Sequence, residues 1–109
     1  MNNIDKIWGE TKCIFINSNV EIHRIEVKKG FSCSRHYHKN KNNIFYVEKG
    51  KLLIKEWKNE KIEEKILLPG ESIEIKNYNF HCFVGLEESV AFEIYHTSID
   101  PNDIIRETQ

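Results

Sequence analysis

The chain has 109 residues, of which 39% are hydrophobic, 30% charged and 11% aromatic, a balance that suits one domain over residues 1–109 around one core and leaves no room for a second. Sixteen Lys and Arg stand against seventeen Asp and Glu, a formal net charge of -1. That removes the broad electrostatic case for nucleic acid or an anionic membrane as partner.

The N-terminal MNNIDKIWGE has no basic stretch leading into an apolar run, and no segment approaches the apolar length of a membrane span. A cytoplasmic protein is expected. Apolar residues then recur with period two in short windows rich in Val, Ile, Phe and Tyr, the pattern of half-buried strands. In chain order the strands fall at Lys12 to Ile16, Val20 to Val27, Ser34 to His38, Ile44 to Glu48, Lys51 to Trp57, Ile62 to Leu68, Ser72 to Ile75, His81 to Val84 and Val90 to His96. Between them lie Asn17-Ser18-Asn19, Lys29-Gly30, Lys49-Gly50, Lys58-Asn59, Pro69-Gly70, Asn77-Tyr78-Asn79 and Gly85, residue types that tolerate positive φ or pre-set a turn. Many short antiparallel strands at this spacing make an all-β sandwich or barrel. Asp100-Pro101-Asn102-Asp103 before Ile104 and Ile105 has the capping chemistry of one short C-terminal helical turn.

His36 and His38 stand two apart on an expected strand, so both imidazoles point to one side of the sheet, as a chelating pair requires. His81 opens a later strand that a closed barrel can bring opposite them. Three imidazoles plus solvent would hold a divalent transition metal with open positions. Cys13, Cys33 and Cys82 are irregularly spaced with no Cys-x-x-Cys pair, which fits neither a disulfide framework nor a thiolate zinc site. On regular strands the thiols of Cys33 and Cys82 turn away from the neighbouring histidines, unless a bulge brings Cys33 in. His23 shares a strand face with Ile25 and Val27, in core packing or in the lumen, and His96 ends the last strand at the surface.

Gly30, five residues, His36-Tyr37-His38, four residues, Asn43, six residues and Gly50 together resemble the first motif of the cupin superfamily, which usually has Glu where this chain has Asn43. Pro69-Gly70-Glu71 followed by Ile73, Ile75 and His81 is similar to the second motif, with Lys76 and Tyr78 where Pro and Gly are usual. Within the superfamily the chain most resembles the C-terminal domain of type II mannose-6-phosphate isomerases, through Trp8-Gly9, the VKKG at Val27 to Gly30 and the tail FEIYHTSIDPNDIIRE from Phe92. The resemblance implies a cupin double-stranded β-helix, a jelly-roll barrel with a metal at its wider mouth, commonly in homodimers.

By the same resemblance His36, His38 and His81 become metal ligands and Asn43 takes the carboxylate ligand's place. A neutral Asn oxygen weakens the site for Mn²⁺ more than for Zn²⁺, Ni²⁺, Co²⁺ or Fe²⁺, which imidazole suits. Sugar-phosphate isomerisation also needs a base near neutrality and cations for the phosphate. Glu93 matches the family's carboxylate position, and Tyr37 stands beside the His pair, with Tyr46 and Glu48 as alternatives. Arg35, Lys39 and Lys41 are the cations that would hold a small anionic sugar ligand. Departing from the family, the chain lacks the His-His-His-Arg-Ala-Glu-His run of these isomerases. Two other functions stay open: a metal-free nucleotide-sugar ketoisomerase or epimerase, which the Arg35-His36-Tyr37-His38-Lys39 run also resembles, and a non-catalytic sugar-binding module.

Overall fold

The computed structural model describes residues 3–97, 102–103 and 105–107. Nine strands follow in order: β1 (Asn3–Lys6), β2 (Gly9–Ile16), β3 (Val20–Val27), β4 (Asn42–Lys49), β5 (Leu52–Lys58), β6 (Lys61–Leu67), β7 (Ser72–Ile75), β8 (His81–Gly85) and β9 (Ser89–His96). All named pairings are antiparallel, in a six-stranded sheet ordered β1-β2-β3-β9-β4-β7 and a three-stranded sheet ordered β6-β5-β8. The two sheets pack face to face as a jelly roll. No helix among the described residues is long and apolar enough to cross a membrane.

Period-two alternation decides what goes inside. On β9 every second residue from Ser89 to Tyr95 is buried, and on β5 Leu52, Ile54 and Glu56 turn inward while Leu53 and Lys55 do not. The core consists of Ile25, Val27, Phe45, Val47, Leu52, Ile54, Leu67, Ile75, Phe83 and Ala91, with Trp8, Cys33 and Ile73 packed against it. Two glycines close this end of the barrel. A Cβ on Gly9 would lie 1.8 Å from the Glu26 carbonyl oxygen, and Gly50 sits at φ +86° with Glu88 and Ser89 against it, positions open only to a residue without a side chain.

Three sequence expectations change. The strand expected at Lys12 to Ile16 is the second half of β2, and β1, which was not among the expected strands, pairs with its start to add the edge of the larger sheet. The strand expected at Ser34 to His38 is absent: the segment between β3 and β4 meets β8 only through isolated bridges, Ser32 to Val84 and His36 to His81. Between those bridges the segment advances four residues while β8 advances three, so one extra residue bulges out and the parity of side chains shifts. Of the helical turn expected from Asp100 to Ile105, Asp100, Pro101 and Ile104 lie outside the described residues, and Asn102, Asp103 and Ile105 are not helical.

Candidate metal centre

His36 and His81 bond reciprocally through their backbones, His36 N to His81 O at 3.1 Å and His81 N to His36 O at 2.8 Å. The second imidazole pair member, His38, follows on the same side, and the nitrogens that His36, His38 and His81 can offer a cation lie within 4.8 Å of one another. Ring centroids are separated by 5.1 Å (His36 to His38), 4.5 Å (His36 to His81) and 5.4 Å (His38 to His81).

Backbone carbonyls orient two of the rings. His36 Nδ1 donates to Ser34 O at 2.8 Å and His81 Nδ1 donates to Asn79 O at 2.9 Å. A ring whose Nδ1 carries the proton presents a bare Nε2 lone pair, the form that binds metal. His38 Nε2 is buried with no hydrogen-bond partner, and so is Asn43 Oδ1. Asn43 is 1% exposed on the inner face of β4, its Nδ2 making a long contact of 3.4 Å with His81 Nε2. Two orphaned acceptors beside two bare imidazole nitrogens form a donor set that lacks only a cation, since buried polar atoms otherwise find partners. The residues present therefore fit a divalent ion with neutral nitrogen ligands and one neutral oxygen.

The electrostatics agree. Burial, then the neighbouring His36 and His81, push His38 down to about 4, and burial also lowers His81. Both rings are thus neutral at physiological pH, as ligands must be.

From the cluster a cavity of about 1000 Å³ extends under the β1–β2 hairpin. Its lining combines polar groups, among them His36, Glu93, Tyr95, His23 and Cys13, with the apolar Ile4, Trp8 and Phe83. Glu93 is buried with Ala91 and Tyr95 on β9, which puts it in the lumen, where Tyr95 Oη donates to its carboxylate. Burial raises the Glu93 carboxyl above its usual range, against the hydrogen bond from Tyr95. Lys41 Nζ sits 4.1 Å above the Tyr95 ring and 3.1 Å from Glu21, whose other oxygen meets His23 Nε2 at 3.1 Å.

The bulge turns Cys33 inward, where its sulfur accepts the Phe83 N–H at 3.3 Å and burial pushes the thiol up to about 12. That is a protonated packing residue, not a thiolate ligand. Other sequence candidates lie elsewhere. The Arg35 guanidinium stacks over Phe80 at 4.0 Å and Trp57 at 4.7 Å, and Tyr37 meets the Phe80 ring edge at 4.7 Å, both away from the imidazoles. Lys39 is exposed, with its backbone oxygen bonded to Asn77 Nδ2. His96 pairs with Glu74 at 2.7 Å. The sequence reading did not single out Glu21, which pairs with His23 and Lys41, or Tyr95 and Trp8, which line the cavity. The first two were legible as continuations of inward alternation, Glu21 from Ile25 and Tyr95 from Glu93.

No family model matches the chain, and no curated protein matches it either. Solved structures do. KdgF from Halomonas sp. superposes with a TM-score of 0.78 at 19% identity over 92% of this chain and 91% of its own. A cupin superfamily protein from Desulfitobacterium hafniense gives 0.71 at 14% identity, covering 81% and 76%. The oxalate decarboxylase of Bacillus subtilis, a protein with Mn(II) centres, gives 0.79 at 16% identity, with 94% of this chain matching 29% of that one. At these identities the likeness is one of fold, and the fold of this chain is that of the cupins.

Proposed function

We propose that this protein is a metal-binding cupin that takes a divalent transition metal on His36, His38 and His81, with Asn43 at the fourth position, and acts on a small anionic sugar. The observation that carries the reading is the convergence of three imidazole nitrogens within 4.8 Å beside the orphaned His38 Nε2 and Asn43 Oδ1. The Mn(II) centres of oxalate decarboxylase, on the same fold, support a metal at this place. The neutral Asn favours Zn²⁺, Ni²⁺, Co²⁺ or Fe²⁺ over Mn²⁺ here.

When bound, such an ion supplies polarisation of a carbonyl or acidification of a bound water. The chain supplies the rest. Glu93, its carboxyl raised by burial, holds a proton closer to neutrality than an exposed carboxylate does and exchanges it with a ligand in the cavity. Tyr95 fixes the Glu93 oxygen that does not face the ligand. Lys41 places a cation at the mouth, where an anionic group of the ligand would displace Glu21 as its partner. Trp8, packed edge-on against Phe83 in the cavity lining, excludes water and offers an apolar face to a sugar ring. Sugar-phosphate isomerisation, which the resemblance implies, uses these same parts. A metal-free ketoisomerase needs one imidazole as acid or base; three convergent imidazoles, two of them held with Nδ1–H on a carbonyl, favour the metal reading. A homodimer belongs to the same reading, supported by exposed Ile14, Phe15, Ile16 and Tyr46, since pairing would cover such apolar surface.

The test is elemental analysis of protein purified without chelator or nickel affinity, alongside His81→Ala. Near-stoichiometric metal in the parent and its loss in the variant are expected. A parent that neither carries nor takes up metal overturns the reading and leaves the metal-free alternatives.

A further inference from the structure

Glu56 is 3% exposed, on the inner face of β5 where Leu52 and Ile54 precede it and an aliphatic residue would continue the core. A buried carboxylate is costly unless its contacts compensate. Its contacts are few. Oε2 accepts from Asn79 Nδ2 at 2.8 Å, and Oε1 lies 3.6 Å from Lys58 Nζ, which is closer to Glu63 at 3.0 Å.

Asn79 is the residue whose carbonyl accepts the Nδ1 proton of His81. Glu56 stands directly opposite His81 in the β5–β8 ladder, and Trp57 N bonds Phe80 O at 2.9 Å beside it. The same short loop reaches His38 and the residues beside the ligands: Tyr78 N donates to His38 O at 2.6 Å, Asn77 Nδ2 to Lys39 O at 2.8 Å, and Asn77 N to Asn42 Oδ1 at 3.0 Å. One loop between β7 and β8 thereby sets the His81 ring and the backbone of His38.

We infer that Glu56 is a positioning residue of the metal centre: through the Asn79 side chain it locks the Asn79 carbonyl onto His81 Nδ1–H and keeps Nε2 bare and aimed at the ion. The inference rests on the proposed metal site. The chain of contacts runs Glu56 carboxylate, Asn79 amide, Asn79 carbonyl, His81 Nδ1, His81 Nε2, and each link is a hydrogen bond or a covalent connection within one residue. Outer partners of ligating imidazoles typically change metal affinity about 10- to 100-fold when removed.

The experiment compares the parent with Glu56→Gln, Glu56→Ala and Asn79→Ala. In metal-free protein labelled with ¹⁵N-histidine, the ring shifts of His81 report its tautomer; Co²⁺ affinity is measured by competition with a chromophoric chelator. The parent and Glu56→Gln, which keeps an acceptor for Asn79 Nδ2, are expected to show the Nδ1–H form and equal affinity. Glu56→Ala and Asn79→Ala are expected to show mixed tautomers and about 10- to 100-fold weaker Co²⁺ binding. Folded Glu56→Ala and Asn79→Ala proteins that keep the parental tautomer and affinity overturn the inference. If Glu56→Ala does not fold, Asn79→Ala, which cuts the side-chain link to Glu56 and keeps the backbone carbonyl that His81 meets, decides alone. A parent that binds no Co²⁺ sinks the metal site, while the His81 tautomer still decides whether Glu56 orients the ring.

Discussion

Each of five strands changes character along its inner face, so the barrel has an apolar half and a polar half built from the same ladders. Going toward the mouth, β3 runs Val27, Ile25, His23, Glu21; β4 runs Val47, Phe45, Asn43; β5 runs Leu52, Ile54, Glu56; β8 runs Phe83, His81; β9 runs Ala91, Glu93, Tyr95. Hydrogen bonding between strands is continuous through both halves. The difference lies entirely in the side chains. In the apolar half each large residue withdrawn from water contributes about 1.5–3 kcal/mol, whereas an unpartnered buried atom such as His38 Nε2 or Asn43 Oδ1 costs about 1–3 kcal/mol. One half therefore stabilises the fold and the other stores the functional groups at its expense.

The sharpest way to break that division is to truncate one residue in each half. Phe45→Ala, in the dry half at 0% exposure, is expected to lower stability by about 3–5 kcal/mol in urea unfolding of metal-free protein. His81→Ala removes a ring of similar burial but a polar one, whose cost of burial offsets part of its packing, so a smaller loss is expected there. Its effect appears instead on adding Zn²⁺ or Co²⁺: at one hundred times the dissociation constant the parent gains about 2.7 kcal/mol, and His81→Ala gains none. Equal losses in both variants without metal would erase the distinction between the halves.

Acid titration of metal-free protein probes the polar half alone. His38 is neutral in the folded state down to about 4 against a reference of 6.5, and His81 is shifted the same way. Between those pH values the unfolded chain binds protons that the folded one refuses, so this stability is full above pH 6.5 and drains as pH falls toward 4. Glu93 acts in the opposite sense. Its carboxyl is raised above 4.5, so the folded state holds a proton that the unfolded state has lost, and its destabilising effect near neutrality is relieved on acidification. Glu93→Gln is accordingly expected to raise stability near pH 7 and to steepen the loss on going to pH 4.5, read from denaturation midpoints across that range. An unchanged slope would mean that the Glu93 carboxyl is not raised.

The apolar half was also the legible half. Strict alternation of β-branched and aromatic residues located eight of the nine expected strands to within a few residues, because inward and outward positions there differ in hydrophobicity. The same signal failed where the interior is polar. Ser34 to His38 reads as a strand by spacing, yet a bulge against β8 supplies the curvature that brings His36 and His38 to His81, and no pattern of hydrophobicity marks an unpaired residue. The His trio and Asn43 were legible all the same, since motif spacing does not depend on regular pairing. Arg35 and Tyr37 alternate with the imidazoles, and the structure puts them against Phe80 on the outer side. Glu56 could be read as buried from Leu52 and Ile54, but its link to His81 passes through the side chain and carbonyl of Asn79, a relation that only the folded loop creates.

The smallest expected effect separates the halves by their turns. At Gly30, Gly50 and Gly70 positive φ is taken by glycine, whereas the loop that carries Asn77 and Asn79 places Tyr78 at φ +69°. A left-handed conformation costs a side-chain residue about 1–2 kcal/mol, and glycine gives back part of that through the greater freedom of its unfolded chain, about 0.5–1 kcal/mol. Tyr78 is 62% exposed, so little packing is lost with its ring. Tyr78→Gly is thus expected to stabilise the metal-free protein by about 0.5 kcal/mol, read as a small rise in the urea midpoint with an unchanged slope. The Tyr78 N–H that holds His38 O survives the change, so Co²⁺ affinity should stay within twofold of the parent. A gain in stability with a clear loss of affinity would instead show that the rigidity of this loop, and not only its hydrogen bonds, aims the imidazoles.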